Sequence, residues 1–138
     1  MLDTTDFLKS LNEAKEKTTN TLAKNLKNVS DKRLEDAKER TPVDIGTLKE
    51  NSGYFVKIEG NKIVAIIGFM EFYAVYVHQG TGLFALNGDG RKTPWWWKGT
   101  TEKWEGWHFT HGQKPKQFLW DALVNNLDLI PEELKEGL

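Results

Sequence analysis

Three histidines are the residues best suited to acid–base or metal chemistry. His108 and His111 lie three residues apart, and His78 is distant from both in the sequence. A helical zinc site would need a pattern such as His-Glu-x-x-His, and no carboxylate is well placed beside the pair. We therefore expect all three side chains to have packing or surface roles.

Carboxylates and glycines offer no clearer catalytic pattern. Glu71, Glu102 and Glu105 could be imagined as acid–base pairs, but the sequence does not fix their separation. The Gly-Thr-Gly at residues 80–82 is too short for a phosphate-binding loop, and there is no Gly-x-Ser-x-Gly elbow. The sequence therefore predicts no catalytic residue, no cofactor and no metal site.

Tryptophan is the unusual residue of this chain, because five of its six tryptophans lie between residues 95 and 107. The turn-forming run Asn-Gly-Asp-Gly at 87–90 precedes them, so residues 87–107 are predicted to form a protruding, Trp-rich loop or arm. A small core cannot absorb so many large side chains, which favours a surface that contacts other subunits or partner proteins. The predicted contact residues are Trp95, Trp96, Trp97, Trp104, Trp107, Phe84, Arg91 and Lys92.

Charge and composition limit the other ligands that this segment could bind. Basic residues interleaved with aromatic ones could stack on single-stranded nucleic acid, and tryptophans also suit sugars or a lipid surface. A net charge of −1 argues against a general nucleic-acid binder. Without cysteine there is no disulfide, thiolate metal site or thiol nucleophile. No apolar signal core or stretch of ~20 apolar residues occurs, so we expect a soluble, intracellularly made protein with no membrane partner.

A long N-terminal helix over residues 4–40 is the first element expected to position this arm. Asp3 or Thr4 could cap it, and apolar residues recur three or four positions apart from Phe7 to Ala37. Such a helix would be about 55 Å long, against about 30 Å for the width of a compact domain of this size. Either the helix breaks near residues 28–30, or something else covers part of its apolar stripe.

A β-hairpin is expected after the Thr41-Pro42 helix stop, with strands over 54–59 and 62–67. Asp44 could cap a short turn between helix and hairpin. The second strand is apolar almost throughout, so we expect a helix on one of its faces and a partner or second layer on the other.

The remaining elements complete a predicted α+β fold in a single domain of residues 1–138. A short helix over 71–79 should end at Gly80 with a positive φ. A short strand at 84–86, a return strand at 107–109, a last helix beginning at Pro115 and a helical turn after Pro131 follow. Residues 118, 119, 122, 123, 126 and 127 should form the apolar face of that last helix.

Opposite charges follow one another near the C-terminus. Residues 90–117 carry six Lys or Arg against two Glu, a net +4, and residues 118–138 carry one Lys against five acidic residues, a net −4. This asymmetry would suit head-to-tail contacts between identical subunits in a ring, although two solvated surfaces would give the same pattern.

Three motifs together resemble a known family. TPVDIGTLK at 41–49, YAVYVHQGT at 73–81 and GQKPKQFL at 112–119 occur in the order and at the distances found in the family named after gene product ten of coliphage HK97. The resemblance covers residues 41–123, and the Arg-Lys-Thr-Pro-Trp insert resembles members from phages and tail-like particles of low-GC Gram-positive bacteria. The family often has Arg in place of Thr47 or Lys49 and Glu in place of His78.

The resemblance implies a structural virion protein without enzyme activity. Its expected form is an α+β subunit that assembles, often as a hexamer, into a ring at the head–tail junction or tail terminus. Its partners would then be neck, tail-terminator, tube or sheath proteins, with DNA at most as passing cargo, and assembly would occur in the cytoplasm of the bacterial host. The alternative is a nucleic-acid-handling or toxin-like module of a mobile element, which would need no symmetry.

Overall fold

An unbroken helix of 36 residues, α1 (Thr5–Arg40), opens the fold. A computed structural model provides this fold and describes residues 4–42 and 46–138. The predicted long helix is confirmed, and the alternative of a break near residues 28–30 is wrong. The Ser30 hydroxyl donates to the Leu26 carbonyl over 2.7 Å, so this polar side chain is satisfied within the helix.

The ends of α1 agree only in part with the sequence expectations. The helix stops at Arg40, where the Thr41 hydroxyl donates to the Ala37 carbonyl over 2.8 Å before Pro42. Thr4 precedes the helix but its side chain makes no capping hydrogen bond, so that expectation is wrong. The other proposed caps, at residues 3 and 44, lie outside the described residues. A short helix, α2 (Gly46–Glu50), follows.

Only the C-terminal half of the α1 stripe is packed within the subunit. Val29, Leu34 and Ala37 are buried, whereas every residue from 5 to 18 is exposed. In that exposed half, Phe7 is 66% exposed. One half of the helix therefore belongs to the core and the other half has no cover among the described residues.

The predicted hairpin is confirmed as β1 (Ser52–Glu59) paired antiparallel with β2 (Lys62–Phe69). Its inner face lies against α1, where Ala65 and Ile67 share a cleft with residues of that helix. Its other face carries Phe55 opposite Ile66, which are 54% and 43% exposed. The second cover expected for β2 is therefore absent within the described subunit.

A small aromatic core joins the hairpin to the second half of the chain. Leu48, Val77 and Phe118 are buried together, and Phe69 of β2 meets the Phe118 ring edge-on at 4.8 Å. Val77 belongs to α3 (Ala74–Gln79), which ends where the Gly80 N–H donates to the Tyr76 carbonyl over 2.9 Å. The predicted positive φ of Gly80 is confirmed at 81°.

The segment after α3 is not a strand, contrary to the expectation for residues 84–86. Residues 82–84 form a single 3-10 turn, in which the Phe84 N–H donates to the Thr81 carbonyl over 3.2 Å. The Leu86 N–H then bonds the Gln79 carbonyl at 2.9 Å. These bonds fold the chain back on the end of α3. The N–H groups of Phe84 and Leu86 are therefore not free to pair with a neighbouring strand.

The C-terminal helices are α4 (Phe118–Val124) and α5 (Ile130–Leu134). The prediction that Pro115 begins α4 is wrong, because the Lys116 N–H donates to the Val77 carbonyl over 3.0 Å and keeps this segment non-helical. Leu127 follows α4 and is 55% exposed, so it does not belong to the apolar face. The helical turn expected after Pro131 is confirmed.

Polar contacts hold α5 on the packed half of α1. The Asn25 side-chain amide donates to the carbonyls of Leu134 and Glu136 at 2.8 and 2.7 Å. The buried Arg33 guanidinium lies 2.6 Å from the Glu133 carboxylate. These bonds satisfy carbonyls at the end of α5 and pair a charge that would otherwise be buried alone.

Candidate interaction surface

The Trp-rich segment contains a second antiparallel hairpin, the aromatic arm, formed by β3 (Trp95–Gly99) and β4 (Gly106–Thr110). The return strand predicted around residues 107–109 is confirmed, and β3 was missed because its three identical residues show no alternation. The sequence did contain a signal for β3. Aromatic residues have a high strand propensity, and these lie between a predicted turn and the predicted return strand.

The inner face of the arm is an internally packed cluster. Trp97 stacks on His108 with ring centroids 4.6 Å apart, and Trp104 approaches the Trp97 ring at 6.2 Å. His108 Nε2 lies 2.9 Å from the Trp104 carbonyl, to which it donates. These contacts fold the connection between the strands back over the inner face, so two of the predicted contact residues are structural parts of the arm.

The outer face of the arm is an exposed aromatic surface. Trp96, Trp107 and Phe109 are 63%, 65% and 52% exposed, and we call these three residues the outer aromatic face. The Trp96 and Phe109 rings are 5.2 Å apart, and Lys98 pairs with Trp107 in the strand register. Phe109 was not among the predicted contact residues. Because alternate residues of a strand point to the same face, the predicted return strand could have placed it on the same face as Trp107.

Backbone contacts at the base of the arm fix it to the end of α3. The Thr81 N–H donates to the Gln113 carbonyl and the Leu83 N–H to the His111 carbonyl, over 2.9 and 3.0 Å. Here Gly82 and the glycine after His111 approach so closely that a Cβ on either would collide with the opposite backbone. The outer aromatic face is therefore carried on an ordered support.

The remaining predicted contact residues lie around this base. Arg91 stacks over the Trp95 ring at 5.5 Å, and Lys92 Nζ donates to the Gly88 carbonyl over 2.9 Å. Phe84 is 38% exposed in its 3-10 turn. Trp96 and Trp107 are thus the most exposed of the predicted tryptophans, whereas Trp104 is 48% exposed although its ring contacts Trp97.

The histidines have the packing roles expected from their spacing. The Trp120 N–H donates to His78 Nε2 over 3.2 Å at the start of α4, and His78 packs edge-on against Phe118 at 5.1 Å. His111 packs against Phe109 with ring centroids 5.4 Å apart. Over residues 4–42 and 46–138, no cluster of three or more His, Asp or Glu is arranged to hold a metal ion.

Other exposed apolar residues lie far from the arm in sequence. Met70 and Phe72, between β2 and α3, are 77% and 82% exposed. Trp120 of α4 is 58% exposed. None of the helices in the described part of the chain is long and apolar enough to span a membrane.

The fold and this surface define a small α+β protein built on a long helix and carrying an exposed aromatic hairpin. The chain belongs to the family described as "Bacteriophage HK97-gp10, putative tail-component", whose model matches residues 5–80. Family membership supports a structural role in a phage particle. The match contains α1, the first hairpin and α3, whereas the aromatic arm and the C-terminal helices lie beyond it. No curated protein and no solved structure matches the chain.

Proposed function

We propose that the protein is a non-enzymatic virion subunit that forms a homo-oligomeric ring, with six copies as its expected order, at the head–tail junction or tail terminus. The observation that carries this proposal is the outer aromatic face on its fixed hairpin. Exposed aromatic clusters of this kind are typical of contact surfaces, where a buried tryptophan is commonly worth about 2 kcal/mol or more.

The charge distribution supports a contact between unlike surfaces of identical subunits. The arm and its base fall within residues 90–117, with a net charge of +4, and α4 and α5 within 118–138, with a net charge of −4. A contact that brings the first segment of one copy near the second segment of the next repeats around an axis and closes into a ring. Neck, terminator, tube or sheath proteins would then meet the exposed surfaces left on the ring.

Assembly of the variant Trp96→Ala/Trp107→Ala tests this function. The outer aromatic face loses two indoles while the inner cluster is kept, so we expect a folded subunit that no longer forms rings. Light scattering gives the mass, and electron microscopy shows whether complete particles have intact junctions. Phe72→Ala is the control, since it removes an aromatic ring that is 82% exposed and lies outside both segments proposed to meet.

Normal rings and intact junctions in the double variant would overturn the role of the arm. A wild-type protein that stays monomeric at all concentrations would contradict the ring itself. The second candidate, a nucleic-acid-handling module, is favoured by Lys98 beside the outer aromatic face, since bases stack on such aromatic platforms. Salt-dependent binding of single-stranded DNA by monomers, lost in the double variant, would support that candidate instead.

A further inference from the structure

Two apolar surfaces of the subunit remain uncovered within its described residues, and both are remote from the arm in sequence. The free helix segment, residues 5–18 of α1, exposes Phe7, Leu8 and Leu11 at 66%, 54% and 54%. The open hairpin face carries Phe55 opposite Ile66, and nearer the turn it carries Val64 with the charged residues Lys57, Glu59 and Lys62. We propose that the free helix segment of one subunit packs on the open hairpin face of a second copy of the same chain.

The free segment repeats the residues with which α1 already covers the hairpin. Leu26 and Val29 line the cleft that α1 forms with the inner face of the hairpin. Leu8 and Leu11 stand 18 residues before them, which is about five turns at ~3.6 residues per turn, so each points in the same direction as its counterpart. An apolar pair with the same spacing is thus presented twice along one helix, once covered as Leu26 and Val29 and once exposed as Leu8 and Leu11.

The dimensions of the two surfaces agree. The 14 residues of the free helix segment span about 21 Å at ~1.5 Å per residue. Each hairpin strand has eight residues and spans about 27 Å at ~3.4 Å per residue. The segment can therefore lie along the hairpin, which would then be enclosed between its own α1 and the α1 of the neighbour.

Both surfaces would gain from cover. Burying their apolar side chains removes apolar area from water, and a two-stranded hairpin is stabilised by packing on its faces. Each copy offers one segment and one acceptor face at different places on its surface, so within the proposed ring the contact repeats head-to-tail from copy to copy. The inference rests on the proposed homo-oligomer and assigns it a specific contact.

Disulfide trapping tests this contact in the full-length protein, which has no native cysteine. Two differently tagged chains, one with Leu11→Cys and one with Ile66→Cys, are co-expressed, purified as oligomers and oxidised. We expect a linked dimer containing both tags. The matched control replaces Leu11→Cys by Lys9→Cys, an exposed position on the opposite side of the helix, and should lose that dimer band.

The remaining outcomes separate this contact from the ring. An intact wild-type oligomer in which cysteines at Phe7, Leu8 and Leu11 all fail to link to Ile66→Cys overturns the helix contact and leaves the ring standing. Preferential linking of Ile66→Cys to itself places hairpin against hairpin and also overturns it. A wild-type chain that is monomeric at every concentration overturns both this contact and the proposed function.

A charge variant provides a second measurement that does not depend on cysteine. Leu8→Glu/Leu11→Glu places two carboxylates on the free helix segment, where the subunit itself has no packing to lose. We expect an unchanged subunit fold by circular dichroism and a dissociation constant of the oligomer raised roughly tenfold or more. Lys9→Glu is the control and should assemble normally, and equal assembly by the double variant contradicts the contact.

Discussion

Neighbouring tryptophans of the arm have different roles because successive side chains of a strand point to opposite faces. Trp97 contributes to the inner cluster with His108, while Trp96 is exposed beside Phe109. A run of three identical residues contains no information about which face is which. That assignment depends on the pairing of β3 with β4, so the sequence predicted a tryptophan surface without separating its supporting members from its exposed ones.

Two features of the structure require glycine at position 80: its positive φ and the close approach of neighbouring backbone atoms. Its φ is 81°, and a Cβ there would lie 2.9 Å from Gln113 O, Phe84 O and Pro115 N. We expect Gly80→Ala to lower the free energy of unfolding by roughly 2 kcal/mol or more, combining left-handed strain with collision. Chemical denaturation of the monomeric subunit measures this change.

Gly60→Ala is the matched control for the steric part of that prediction. Gly60 also has a positive φ, 56°, but no heavy atom beyond its two chain neighbours lies within 4 Å of the position of an added Cβ. Strain alone should then cost about 1 kcal/mol. Equal losses of stability in the two variants would show that close packing around Gly80 contributes nothing.

At the scale of elements, the predictable parts are those set by local pattern. The long helix, the first hairpin and the helical turn at Pro131 follow from apolar periodicity, β-branched runs and proline placement. The start of α4 could not be placed this way, because a long-range bond from the Lys116 N–H to the Val77 carbonyl keeps its first expected turn non-helical. The prediction of a strand at 84–86 was wrong for a related reason, because the N–H groups of Phe84 and Leu86 bond carbonyls at and just after the end of α3.

The packing of α5 on α1 includes the ion pair between Arg33 and Glu133, which no sequence pattern predicted. The Arg33 side chain is 6% exposed, so removing its carboxylate partner leaves a buried charge without compensation. We expect Glu133→Ala to lower the free energy of unfolding by about 3 kcal/mol, measured by urea denaturation. Hydrogen exchange should accelerate first in α5.

The adjacent acidic residue provides the control for this ion pair. Glu132 is 77% exposed and lies 3.5 Å from Lys135, so Glu132→Ala should change stability by less than about 0.5 kcal/mol. Glu133→Gln should fall between the two, because its amide oxygen still accepts a bond from Arg33. A loss for Glu133→Ala no larger than that of the control would mean that α5 is held by the Asn25 hydrogen bonds and apolar contacts without help from the ion pair.

At the scale of the whole molecule, the described chain exposes more large apolar residues than it buries. Its fully buried apolar residues cluster at the packed half of α1 and around Phe118, while exposed ones occur on α1, both hairpins and the segment before α3. Single exposed apolar residues are ordinary, but several exposed apolar clusters on a chain of this length are typical of subunits that pack against partners. The sequence predicted that part of the α1 stripe and one face of β2 would need further cover, but it could not show which half of α1 is uncovered, because the apolar periodicity is the same in both halves.

The stability of such a subunit should depend on protein concentration, because association favours the folded state by mass action. We expect the melting temperature of the wild-type protein to rise over a roughly hundredfold increase in concentration, whereas Trp96→Ala/Trp107→Ala melts at a nearly constant temperature. Differential scanning fluorimetry with parallel mass measurements follows both properties. The variant at any concentration should resemble the wild-type protein at high dilution, since it retains the inner cluster of the arm. A wild-type melting temperature independent of concentration, or the same rise in the double variant, would show that the outer aromatic face does not link folding to assembly.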